Sequence, residues 1–185
     1  MEISLRLTSK KEKYSGLELA IINRTDESRG VQVGGVNYAK ESRGVQVGGI
    51  NIAGESRGVQ VGVINGADEP SYGVQAGGIN VAEKSSYGVQ VGLYNNAKES
   101  RGVQTGLYNE TKESSYGVQA GVINYAGKLR GVQLAHFLNI CGEDSKGMQL
   151  GAINWRSGVP WYSRLIPIVA IRRGAKKGSI ERKTE

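Results

Sequence analysis

A phrase of about fourteen residues, G-V-Q-V-G-x-I-N-x-A followed by a polar link, begins again at Gly16, Gly30, Gly44, Gly58, Gly73, Gly88, Gly102, Gly117, Gly131 and Gly147. The steps are 14, 14, 14, 15, 15, 14, 15, 14 and 16 residues. A fixed period of this kind decides the fold before local propensity does, because each copy is one structural unit that must stack on its neighbours to bury anything. Positions within a copy are numbered here from its first glycine. Position 8 is Asn in all ten copies apart from a one-residue offset in the ninth, and position 3 is Gln in nine, with Glu18 in the first. Positions 2 and 4 are apolar or small (Val31 and Val33, Met148 and Leu150), so they alternate with Gln as a half-buried strand requires.

The step from position 4 to the apolar position 7 is three, and a strand of period two would place those residues on opposite sides. A bend at the glycine of position 5, often doubled as in Gly34-Gly35 and Gly48-Gly49, resolves the conflict. The pattern therefore predicts two short strands per copy, with the polar tetrad closing a coil. Stacked at about 4.8 Å, ten such coils make a rod about 45 to 50 Å long. The expected fold is an all-β parallel β-solenoid of ten coils of 14 to 16 residues. Its apolar positions line a narrow interior, and its Asn and Gln stack as amide ladders. Aromatic residues make up only 6% of the chain, as a thin coil demands. The competing architecture is an antiparallel meander closed as an outer-membrane-type barrel, which would not set Asn beside Asn.

The organisation that follows is an N-terminal cap strand over residues 1–15, a ten-repeat solenoid over 16–158, a C-terminal cap over 159–171 and a basic tail over 172–185. In the first segment Ile3, Leu5 and Leu7 alternate; in the third, Trp161 and Leu165 are expected to plug the last coil. Charge separates along the same lines. The chain carries +7, yet residues 16–171 hold 14 basic and 13 acidic side chains, so the excess lies at the ends. Arg172, Arg173, Lys176, Lys177, Arg182 and Lys183 form a solvated tail that offers a weak site for anionic lipid or nucleic acid. No basic start followed by an apolar stretch and a small-residue cleavage site opens the sequence, which predicts a cytoplasmic location.

The phrases GVQVGGVNYA, GVQVGLYNNA and GVQAGVINYA resemble the GVQ-G-L/I-N-x-A repeats of bacterial, leptospira-type surface-repeat proteins, over roughly residues 16–155. The resemblance implies a repeat protein at a cell surface, with no catalytic residue to carry over.

Three sets of residues are candidates for function. The last residue before each glycine is Arg29, Arg43, Arg57, Tyr72, Tyr87, Arg101, Tyr116, Arg130 or Lys146, and each Tyr follows a link one residue longer. Arg and Tyr in one column can stack as cation and ring; the column is a candidate contact for sugars or an acidic partner. The Gln column (Gln32, Gln46, Gln60, Gln75, Gln90, Gln104, Gln119, Gln133 and Gln149) alternates with Val and is expected to face outward, as a flat amide row that a polymer such as a glycan could follow. The Asn column is expected to be structural. His136 and Cys141, single residues of the ninth copy beside Glu143 and Asp144, lack the spacing of a metal site, and Cys141 stands where other copies have Ala. Carboxylates lie in the links and ends, with Glu18 and Glu110 the exceptions, which argues against a β-helix enzyme. No cofactor or metal is expected. The expected function is a non-enzymatic scaffold presenting a repetitive face to a protein or glycan. Self-assembly through Tyr38, Tyr94, Tyr108, Tyr125 and Trp155 is the alternative.

Overall fold

A computed structural model describes residues 3–158 and 170–171 of the chain. Every coil is a strand: β1 Ile3–Tyr14, β2 Leu17–Ser28, β3 Val31–Ser42, β4 Val45–Ser56, β5 Val59–Ala67, β6 Val74–Ser86, β7 Val89–Ser100, β8 Val103–Ser115, β9 Val118–Leu129, β10 Val132–Cys141 and β11 Met148–Arg156. Each pairs in parallel with the next in chain order, and a short β12, Ala170–Ile171, returns antiparallel on Met148 and Gln149. The architecture is thus an all-β parallel solenoid, and the antiparallel meander is overturned. Like faces like in the register, Gln46 beside Gln60 and Asn51 beside Asn65.

Two features of the backbone differ from the expectation. The polar link does not interrupt the strand, which in β3 runs from Val31 through Ser42. The coil bends instead where the inter-coil register passes over one residue, at Gly35 (position 6) and at Lys40 (position 11). Second, β1 is more than a cap strand. It pairs with β2 in repeat register over its whole length, Ile3 opposite Leu17 and Tyr14 opposite Ser28, and so makes an eleventh coil whose sequence has lost the repeat. The proposed plug residues Trp161 and Leu165, and the basic tail, lie outside the described residues.

The corner at position 1 admits only glycine, because the coils approach backbone to backbone there. A Cβ on Gly73 would sit 1.7 Å from the carbonyl oxygen of Gly58. Hydrogen bonds still cross this corner, for example Val74 N–H to Gly58 O at 2.9 Å and Tyr72 N–H to Ser56 O at 2.8 Å.

The interior reverses the expected polarity. Gln at position 3, Asn at position 8, Ala at position 10 and Ser at position 13 are buried, while Val, Ile and Leu at positions 2, 4, 6 and 7 are half-buried or exposed. The reason is dimensional. Inside so thin a coil, residues on opposite walls nearly touch, and neighbours along the axis lie one strand spacing apart, about 4.8 Å. An amide there bonds directly to the same amide one coil away, which removes the penalty for burying it. Small Ala and Ser fill what is left. The only apolar cluster among the described buried residues is Ala126, Leu129 and Cys141, near the C-terminal end.

Candidate functional site

The Gln column, expected on the surface, is a buried ladder and offers no contact row. From Gln46 to Gln149 each Nε2 donates to the Oε1 of the preceding Gln at 2.8–3.0 Å. From Gln60 on, the same nitrogen also reaches the carbonyl oxygen at position 9 of its own coil, as in Gln119 to Tyr125 O at 3.1 Å. The ladder ends at its N-terminal side on Glu18, which needs no donor of its own. Glu18 Oε2 accepts from Gln32 Nε2 at 3.1 Å, and Oε1 accepts from the Ser9 hydroxyl. This explains the single departure from Gln.

The Asn ladder runs the other way. Each Nδ2 donates forward to the next Asn Oδ1, from Asn23 to Asn37 at 2.7 Å through Asn139 to Asn154 at 2.8 Å, and to the carbonyl oxygen at position 4 of the next coil. The two rows of amide dipoles therefore oppose each other. Each leaves one acceptor without a partner among the described residues, Asn23 Oδ1 at one end and Gln149 Oε1 at the other.

The Arg/Tyr column is on the surface and is continuous. The guanidinium of Arg57 lies 5.7 Å from the Tyr72 ring, Tyr72 and Tyr87 stack at 4.9 Å with planes 6° apart, Arg101 sits between Tyr87 (5.5 Å) and Tyr116 (5.1 Å), and Arg130 follows at 5.7 Å. The longer links of the Tyr coils leave this stack in register. Ser56, Ser71 and Ser86 stay bridged, and the extra residue is absorbed by a register shift between Ala82 and Ser85. Four arginines reach back two residues to a glutamate: Arg29 to Glu27 (Nε to Oε1, 2.7 Å), Arg43 to Glu41 at 3.0 Å, Arg57 to Glu55 at 2.7 Å and Arg101 to Glu99 at 3.7 Å. The hydrogen bond from Arg29 holds the Glu27 carboxyl below its ordinary range, and that to Glu55 raises the Arg57 guanidinium further. In the coil of Arg130 the corresponding residue is Lys128.

A second cluster was visible in the sequence only as scattered residues. Tyr94 and Tyr108, both at position 7, stack at 5.5 Å with planes 5° apart. The Tyr94 hydroxyl donates to Glu110 Oε2 at 2.7 Å, and Asn96 Nδ2 donates to the same oxygen at 2.9 Å. Burial, reinforced by Glu110, pushes the Tyr94 phenol up to about 12 and raises that of Tyr108. The signal available beforehand was Tyr at one position in successive copies, with a carboxylate outside the links.

In the ninth copy, Cys141 is fully buried in the alanine column, opposite Ala126 and Arg156. Arg156 ends that column, donating to Gly147 O at 3.0 Å and Ser145 O at 3.4 Å. His136 lines a shallow hollow with Leu134, Leu150 and Ala152, apart from the buried thiol. Among the described residues no three His, Cys, Asp or Glu come together as metal ligands, and no helix is long and apolar enough to cross a membrane. No family model, curated protein or solved structure matches the chain.

Proposed function

We propose that the chain is a non-enzymatic repeat scaffold that presents the Arg/Tyr column to a protein or glycan partner. The observation that carries this reading is the unbroken stack from Arg57 to Arg130. Each planar group in its middle is flanked on both faces by neighbours, so what it offers outward is its edge. Tyr72, Tyr87 and Tyr116 are 50%, 38% and 43% exposed. The column thus presents a row of phenol hydroxyls and guanidinium N–H groups, one per coil. A linear partner rich in hydroxyl, carbonyl or carboxylate oxygens fits such a row, and weak contacts repeated along it combine into avidity. The paired glutamates offset much of the arginine charge, which disfavours a purely electrostatic attraction. The resemblance to surface-repeat proteins supports a partner met at a bacterial cell surface.

The test is binding of the full chain to arrayed polysaccharides and arrayed extended peptides, beside a variant carrying Tyr87→Ser and Arg101→Ser. The expected result is binding that climbs steeply with ligand length and falls at least tenfold in the variant. Equal binding by both proteins would refute the assignment.

A further inference from the structure

Positions 2, 4, 6 and 7 carry no Asp, Glu, Lys or Arg from β2 to β11, and their one imidazole is His136 at position 6 of β10. Positions 2 and 4 form a flat sheet face of Val, Leu, Met and Ala broken by one Thr, Thr105, with position 6 as a ridge along its margin. Four groups of this ridge stand far into solvent: Val63 is 65%, Leu93 62%, Ile21 59% and Leu107 56% exposed. From position 2 to position 6 is about 13 Å, and ten coils rise about 45 Å, giving about 600 Å² of continuous apolar face. That is at the upper limit of what monomers leave bare and at the lower edge of the about 600 to 1,000 Å² that each partner buries in a stable dimer.

Over the six central coils, β3 to β8, the ridge is uneven and its unevenness matches itself. Glycine replaces a side chain at Gly35 in β3, Gly49 in β4 and Gly78 in β6. A two-fold axis perpendicular to the rod, crossing between β5 and β6, sets β5 on β6, β4 on β7 and β3 on β8 of the other copy. Under that operation Val63 meets Gly78, Leu93 meets Gly49 and Leu107 meets Gly35, so each gap receives a large side chain; outside these coils Ile21 of β2 faces Val122 of β9. Position 4 behaves consistently, with Val61 over Ala76 at the centre. An isologous interface requires this self-complementarity.

We infer that this face is covered by a second copy of the chain, docked antiparallel about a dyad between β5 and β6. The inference goes beyond the Arg/Tyr column and does not depend on it. Position 14 lies outside the buried face, and the dimer carries two such columns.

Sedimentation velocity of the full chain across a concentration series, with a variant carrying Leu93→Asp and Leu107→Asp, tests it. Both side chains are exposed within a single copy, so the variant should keep its circular dichroism spectrum and should match the urea midpoint of the wild type at protein concentrations low enough for the wild type to be monomeric. A dimer for the wild type and a monomer for the folded variant are expected. A second variant, Gly49→Cys with Leu93→Cys in a Cys141→Ala background, reads the register. Those positions lie three coils apart within one chain, about 14 Å, so only the two-fold partner can join them, and oxidation should give a covalent dimer. A wild-type monomer at 100 µM, open-ended growth, an aspartate variant that still dimerises, or a dimer without the cross-link overturns the proposal. So does a wild-type monomer that floats with phosphatidylcholine vesicles, which would make a bilayer the occupant.

Discussion

Replacing Gln90 with Leu tests whether the buried ladder is a bonded structure or merely a filling. The two side chains are similar in size, so the change is chiefly one of hydrogen bonding. In the native coil Gln90 Nε2 donates to Gln75 Oε1 at 2.8 Å and to Asn96 O at 3.3 Å, and its Oε1 accepts from Gln104 Nε2 at 2.8 Å. Leucine strands Gln75 Oε1 with no donor and leaves Gln104 Nε2 with only the 3.4 Å contact to Glu110 O. A buried polar group without its partner costs about 1–3 kcal/mol; two such losses, less the gain from burying leucine, give a destabilisation of about 2–4 kcal/mol. Gln149→Leu is the internal control. It strands only Gln133 Oε1, bonded at 2.9 Å, and removes an acceptor that already lacks a partner. Its expected cost is about 2 kcal/mol smaller. Urea unfolding gives both values, and hydrogen exchange should localise the Gln90→Leu loss to β6–β8. Equal costs at the two sites would refute the ladder as an energetic unit.

Gly88→Ala places a Cβ 1.8 Å from Gly73 O and should leave the protein unfolded or insoluble, whereas Gly66→Ala meets nothing nearer than Ile52 Cγ1 at 3.9 Å and should raise the urea midpoint slightly. A thiol reagent should label Cys141 only after unfolding, and Cys141→Ala, which restores the column residue, should change stability by less than about 1 kcal/mol. Ultraviolet titration should show Tyr94 ionising near pH 12. Because its folded pKa lies above the ordinary value of 10.0, its contribution to stability is complete below pH 10 and is lost as pH rises toward 12, and Glu110→Gln should narrow that window.

The period, the parallel stack, the Asn column and the alanine-like place of Cys141 were all legible because spacing alone determines them. Identical residues fourteen apart must sit above one another if coils repeat. Which side of the coil faced inward was not so determined. Alternation says that Gln32 and Val33 point to opposite sides, and the ordinary rule that apolar groups go inside selected the wrong one. The corrective signal was present in the sequence. A solvated position drifts, as position 11 does from Lys40 to Gly54 to Asp68, while position 3 is Gln in nine copies. The small residues at positions 10 and 13, Ala39 and Ser42 in β3, mark the same interior, since only small groups fit beside two amide rows. The Tyr94–Glu110 contact was not legible, since it joins position 7 of one coil to position 9 of the next. It is a diagonal pair: positions 7 and 9 lie on one side of the strand, and Glu110 stands opposite Asn96, two residues beyond Tyr94, a neighbour that comparing like positions does not show.

The inverted polarity separates the forces that fold the chain from those that would assemble it. An interior of Gln, Asn, Ser and Ala gains little from removing apolar surface from water, so the coil is held by its backbone ladder and by amide bonds, each worth about 1 kcal/mol net and effective only in register. The hydrophobic term is left largely unspent on the outside, where Val63, Leu93 and Leu107 stand in solvent. At about 25 cal/mol per Å², that surface is released only when something covers it. Substitutions therefore sort by the direction a side chain points. Inward changes that break an amide bond at positions 3 and 8 should lower the stability of the single coil stack itself. Outward changes at positions 4 and 6 should leave the monomer intact and alter only what it binds. A chain whose hydrophobic residues supplied its folding energy would show the reverse, with Leu93→Asp lowering the urea midpoint as much as Gln90→Leu does.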